Sequence, residues 1–280
     1  MSFFKKLFDI KEEQINQPEQ SNKKTLEEAY ERALNVLEEY RRVAYVPTTS
    51  VIKHEFSSHS KIGGYPFLRN EEDWPICPNC NKNMQLFLQL NLKELPERKE
   101  EGLAQLFYCT TEEPLCDVDL EAFFPFSKAV VCRVVEHREE SASIDPVIDE
   151  LFEEKRITGL VAKDDYPHYE EYSELGIDLE IEDSVYELME EREKGMALPG
   201  DKLFGWPYWI QGVEYPLDKE MGRAMELFFQ LDSEVNLPYM FGDSGVGHLT
   251  QSLDRKEKDG IWLGMLLEST VRKQVISNLS

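Results

Sequence analysis

The chain has 280 residues, of which 31 are basic and 55 acidic, for a formal charge of −24. That balance argues against a surface built to neutralise phosphates, so nucleic acid is not an expected partner. A content of 41% apolar and 11% aromatic residues supports a packed core, and the longest uncharged run, Leu203 to Val213, has eleven residues where a membrane span needs roughly twenty. Lys5 and Lys6 lead into Leu7, Phe8 and Asp9 rather than an apolar secretory core, and five cysteines do not form a disulfide scaffold. The expected setting is a reducing cytoplasm.

In chain order, residues 1–24 are polar after Phe3, Phe4, Leu7 and Ile10 and read as a mobile arm. Thr25 and Glu28 have capping-box spacing, and Leu26, Ala29, Tyr30, Ala33, Leu37 and Tyr40 recur at helical spacing as far as Arg42. Residues 25–135 therefore form a helix and a first β-rich half, with short strand-like runs from Val46 onward. Strands are expected at 84–91, 102–109 and 129–135. Asp145 followed by Pro146 reads as a helix cap and first turn, and Asp183 to Gly195 as a helix with acids first and a glycine stop. Residues 136–194 hold 21 acids against 6 bases and are expected to be an acidic helical connection. Residues 195–280 form a second β-rich half, with a strand over 260–267.

Residues 61–91 overlay residues 202–232 at a constant offset of 141 with nine identities, among them Lys61/Lys202, Gly64/Gly205, Pro66/Pro207, Phe87/Phe228 and Gln89/Gln230. The expected fold class is therefore α+β: one internally duplicated globular domain of mainly antiparallel β-sheet halves, related by a pseudo-twofold, with flanking helices. Within each strand Met84, Leu86, Leu88 and Leu90, or Met225, Leu227, Phe229 and Leu231, are expected to face the core, leaving a mixed Phe and Gln face on show. The segments Lys61–Phe67, Trp74-Pro-Ile-Cys-Pro-Asn-Cys80, Phe87–Leu90, Gly102–Cys109, Leu203–Pro207 and Phe241-Gly-Asp-Ser-Gly245 together resemble the YwqG-like family of bacterial proteins of unknown function. The resemblance runs from about residue 45 to the end. It implies a cytoplasmic α+β protein with duplicated β-rich halves, and no activity.

Cys77-Pro-Asn-Cys80 has the spacing of a metal knuckle, and Cys109 and Cys116 are candidates to complete four thiolate ligands for a structural zinc. The competing reading is an unliganded turn with Cys109 buried in a strand; a redox pair lacks the helix that would start at its second thiol. Asp218 and Met221 occupy the two thiol positions in the second copy, so the fold does not need metal in both halves. Cys132 reads as a small apolar strand residue. Gly242-Asp243-Ser244-Gly245 resembles a serine-protease nucleophile turn but lacks the accompanying signatures, so a turn in which Asp243 bonds backbone amides is expected. Gln89 and Gln230 either face a shared ligand cleft, with Trp206, Tyr65 and Asp243 as its wall, or each pin a neighbouring Gly-aromatic-Pro loop.

No catalytic set stands out. The leading functional expectation is a non-catalytic binding or interaction protein with a structural zinc and a basic protein partner engaged by the acidic region. The alternative is a small-molecule enzyme with a cleft between the repeats, using Gln89, Gln230, Asp243 or His248. Oligomeric state is not legible.

Overall fold

The computed structural model describes residues 23–69, 74–96, 98, 100–136, 141–145, 147, 148, 150–210, 212–218, 222–233, 235–242 and 244–252, and the backbone of 263–268. The expected arm over 1–24 lies almost wholly outside these residues. Helix α1 spans 23–37 and is followed by a 3₁₀ turn, Glu38–Tyr40. It is already helical at Lys23, so Thr25 is not its N-cap. Tyr30, Ala33, Leu34 and Leu37 form its buried stripe, as the period-3.6 pattern requires.

Ten strands make one sheet: β1 (Arg42–Val51), β2 (Lys61–Ile62), β3 (Gln85–Asn91), β4 (Leu103–Tyr108), β5 (Val130–Val135), β6 (Lys155–Asp165), β7 (Lys202–Leu203), β8 (Glu226–Asp232), β9 (Val246–Gln251) and β10 (Leu263–Glu268). Their order is β10-β9-β8-β7-β1-β6-β2-β3-β4-β5, with every pairing antiparallel. Outward from the central β1–β6 pair, each wing has strands of two, seven, six and six residues. Lys61 pairs with Gln89 on one side and Lys202 with Gln230 on the other. The ladders shift register between Leu86 and Leu88 in β3 and between Leu227 and Phe229 in β8.

The edge strands β5 and β10 approach each other, so the sheet curls on itself. Its inside is one core shared by both wings, including Phe87, Leu90 and Leu106 with Phe228, Leu231 and Leu249. Phe87 lies 5.1 Å from Tyr239 and 5.9 Å from Phe241, ring centroid to centroid. Both faces of β3 and β8 are covered, apart from their end residues. The expected exposed Phe and Gln face is thus buried, because the wings fold over one another where a lone sheet would show one side to water.

Among the described residues three short α-helices follow: α2 (Cys116–Asp119), α3 (Tyr172–Leu175) and α4 (Asp183–Glu191). The expected helix at Asp145 does not form; the described residues of 141–154 are irregular. Residues 136–194 are a helical connection only in their last third, since β6 lies at the centre of the sheet. Tyr166, Tyr172, Ile177, Val185 and Met189, which follow β6, pack on α1 as a second core.

Candidate metal centre

The turn at 77–82 is closed by its own backbone. Cys77 N–H donates to the Lys82 carbonyl at 2.9 Å, Asn81 N–H to the Cys77 carbonyl at 3.0 Å, and Met84 N–H to the Pro75 carbonyl at 2.8 Å. Asn81 adopts φ 64°, a left-handed conformation that asparagine tolerates, and a bridge between Ile76 and Asn83 seals the base. The indole of Trp74 donates to the Met84 carbonyl at 2.7 Å from beneath. Cys109 follows β4 and Cys116 opens α2, brought back by the 109–116 loop through Cys116 N–H to the Thr111 carbonyl at 3.1 Å.

These elements bring the four sulfurs of Cys77, Cys80, Cys109 and Cys116 within 4.8 Å of one another. Cys80 Sγ and Cys109 Sγ are 3.7 Å apart. Zinc–sulfur bonds of about 2.3 Å at tetrahedral angles place sulfurs about 3.8 Å apart, so the set can hold one metal ion with small adjustment. Cys77, Cys109 and Cys116 are buried and Cys80 is half-buried. The surrounding side chains, Leu68, Trp74, Met84, Leu86 and Phe107, are apolar.

Burial raises the Cys116 thiol to about 11, with the Asn79 amide, which donates to its sulfur at 3.4 Å, in opposition. Burial raises Cys109 as well. At Cys80 burial also acts upward, but hydrogen bonds with the Thr111 hydroxyl, the Lys82 backbone and neighbouring thiols outweigh it and bring the group to about 7. Asn79 also donates to Asp119 Oδ2 at 3.0 Å, tying the knuckle to α2. Asn79 and Thr111 were not legible as site residues, because their roles depend on the loop that returns from β4. Cys132 lies in β5, outside the cluster, its thiol pushed up to about 12 by burial.

At the 141-residue offset the second wing repeats the turn without sulfur. Asp218 N–H donates to the Arg223 carbonyl at 2.8 Å, Met225 N–H to the Pro216 carbonyl at 2.8 Å, Leu217 bridges Ala224, and Gly222 has φ 64°. Met221 lies outside the described residues.

The other sequence-derived candidates do not join one site. Gln89 is fully buried: its Oε1 accepts from Phe67 N–H at 2.8 Å and its Nε2 donates to the Ser57 and His59 carbonyls at 2.8 and 2.9 Å. Gln230 makes the matching contacts with Tyr208 N–H at 2.9 Å and the Leu198 and Gly200 carbonyls at 3.4 and 2.8 Å. Each amide therefore pins its own loop. Trp206 donates from its indole to the Tyr40 carbonyl at 2.8 Å and lies under the Arg42 guanidinium, 3.5 Å from the ring centroid. Asp243 lies outside the described residues.

Two buried ion pairs explain the shared Lys-x-x-Gly-aromatic-Pro run. Lys61 Nζ donates to Glu154 Oε1 at 3.0 Å while Tyr65 N–H reaches Glu154 Oε2 at 3.2 Å; Lys202 Nζ and Trp206 N–H both reach Asp165 Oδ2, at 2.9 and 2.8 Å. Both lysines are 0% exposed. A Cβ on Gly64 or Gly205 would lie 2.1 Å from the respective carboxylate oxygen, so only glycine admits the acid. Ser60 Oγ and Asp201 Oδ1 likewise accept from Asn91 and Asp232 N–H, at 3.0 and 2.8 Å.

Further buried acid–base groups lie in and against the second wing. Glu171 accepts from the Trp209 indole and from Tyr215 OH at 3.0 Å, and burial raises its carboxyl to about 7 against those bonds. His248 is buried edge-on to Trp209 at 5.1 Å, and neither ring nitrogen has a hydrogen-bond partner among the described residues. Burial, then the charge of Lys202, lowers it to about 3, so the ring is neutral.

Among the described residues no helix is long and apolar enough to cross a membrane. No curated protein matches the chain. The family model for a domain of unknown function, DUF1963, matches residues 60–256, a span that takes in the cysteine cluster, both buried ion pairs and every strand from β2 to β9, and the chain belongs to that family.

Proposed function

We propose that this chain is a non-catalytic binding protein, held in its first wing by a structural zinc, that engages a basic protein partner through its acidic segment. The observation that carries the docking reading is the run between Lys163 and Arg192, which contains twelve acidic residues and no lysine or arginine. Four thiolates that fill a tetrahedral shell leave no position for a reacting water, which favours a structural role for zinc over a catalytic one. The cleft-enzyme reading loses its support where Gln89 and Gln230 spend both amide ends on backbone. We also infer that the wings descend from one duplicated unit, supported by matched contacts at a single offset, and that the chain is YwqG-like. All five cysteines are free thiols, which fits a reducing compartment such as the cytoplasm.

Elemental analysis of purified protein is expected to give about one zinc per chain, lost in Cys77→Ser; equal, near-zero zinc in both would remove the metal. Binding of a basic protein partner is expected to weaken steeply as salt rises past the screening length of about 10 Å at 0.1 M. Partner capture unchanged from low to high salt would remove the electrostatic docking.

A further inference from the structure

The acidic segment is not a uniform face. Between α3 and α4 lies a hollow of about 770 Å³. Its walls are apolar and aromatic, with Tyr169, Tyr186, Ile177 and Ile181 among them, while Asp178, Glu180, Asp183 and Glu187 stand on its lining. The four carboxylates are exposed, and among the described residues none has a lysine, arginine or histidine partner. Tyr169 and Tyr186 meet edge to face at 6.1 Å, and Tyr169 is 52% exposed, so aromatic surface is open to an incoming group.

We infer that this hollow seats a lysine or arginine side chain, with its neighbouring residues, of a basic polypeptide; the inference rests on the docking reading above and gives it an address. The side chain's methylenes lie along Ile177 and Ile181, where a long cationic side chain buries its stem. The cationic head reaches the carboxylates and the tyrosine faces, both of which attract a cation. An anionic ligand meets four like charges there, and a purely apolar one leaves them without any compensation. The volume exceeds one side chain, so a short stretch of extended chain enters.

The test uses the full chain and fluorescein-labelled pentalysine, with affinity read by anisotropy at low salt. Two triple variants remove the same charge: Asp178→Asn/Glu180→Gln/Glu187→Gln in the hollow and Glu150→Gln/Glu190→Gln/Glu191→Gln on exposed positions outside it. The expected result is a loss of about tenfold or more for the first set and less than about twofold for the second, with unchanged melting of both. Tyr169→Ala is expected to weaken binding by about two- to fivefold, and pentalysine acetylated on every side chain is expected not to bind. Equal loss in the two triple variants would overturn the hollow as the seat while leaving acidic docking intact. Absent or salt-independent binding of pentalysine to the parent protein would overturn the docking reading itself.

Discussion

The turn at 77–82 and the turn at 218–223 have the same backbone closure and a left-handed residue at the same position, Asn81 or Gly222, yet the first holds two thiols and faces two more while the second shows none among the described residues. The difference teaches that the turn's shape is set by main-chain hydrogen bonds and the Pro75 or Pro216 strand entry, not by a ligand. The frame closes in the same way with and without sulfur. Around the frame the wings diverge in the same way: where the first has Trp74 bonded to a carbonyl and Ser60 as an acceptor, the second has Tyr215 bonded to Glu171 and the carboxylate of Asp201. The first wing carries four clustered thiols that could hold a metal ion, and the second packs on buried acid–base groups.

The largest effect expected from breaking this comparison is at the cysteines. Cys77→Ser, or chelation of the parent protein, is expected to destabilise by about 5 kcal/mol, below the roughly 10–16 kcal/mol of peptides that have no other core. Asp218→Ser is expected to cost under about 1 kcal/mol by the same denaturant melt. If the two substitutions cost alike, the sulfur cluster carries no ligand that matters to stability.

Next come the buried ion pairs, where the wings should behave alike. Lys61→Met and Lys202→Met each leave a buried carboxylate uncompensated and are expected to cost about 3–5 kcal/mol in chemical denaturation. Burial lowers the pKa of both lysines, opposed by Glu154 and Asp165, so the pairs are held by geometry as much as by charge. A variant that tolerates either loss would show the two Lys-x-x-Gly runs to be unequal.

A smaller, pH-dependent effect separates the wings. Folding raises Glu171 from about 4.5 to about 7, so the folded chain holds a proton that the unfolded chain has released. The resulting stabilisation is complete below pH 4.5, declines as pH rises towards 7, and amounts to something on the order of 3 kcal/mol. Glu171→Gln is expected to flatten melting curves across that window and to gain stability at pH 8; an unchanged pH profile would refute it. Asp201, raised to about 6 by burial, adds a slope of the same sign over a lower window.

Smallest is the left-handed turn residue. Gly222→Ala is expected to cost about 1 kcal/mol from backbone strain alone, since nothing lies within 4 Å of the added Cβ. Gly222→Asn should be milder, copying the residue at 81, as read by thermal melting.

The cysteine centre was legible because a two-residue gap between thiols constrains geometry and the closing thiols lie within forty residues of it. Helix α1 was legible from its period and β3 and β8 from their repeated letters. The central strands were not: β1 and β6 are largely exposed, so neither shows an apolar alternation, and β6 reads as part of a charged connection. Lys61 and Lys202 were visible as identities but not as buried residues, because lysine normally snorkels to water and its partner acids come from distant sequence. The Asp145-Pro146 pair shows the opposite error: a sound local start signal failed although apolar residues follow it, because Leu151 and Phe152 pack from an irregular segment against two different cores rather than along one helical face.

Both buried lysines are served by one strand, since Glu154 immediately precedes β6 and Asp165 ends it. Slipping β6 by a single residue along β1 would carry both acids about 3.3 Å out of reach and turn them to the opposite side at once. The strand therefore works as a two-toothed key, seated only when both ends engage, which gives its polar, weakly patterned sequence a single alignment that hydrophobicity alone would not dictate.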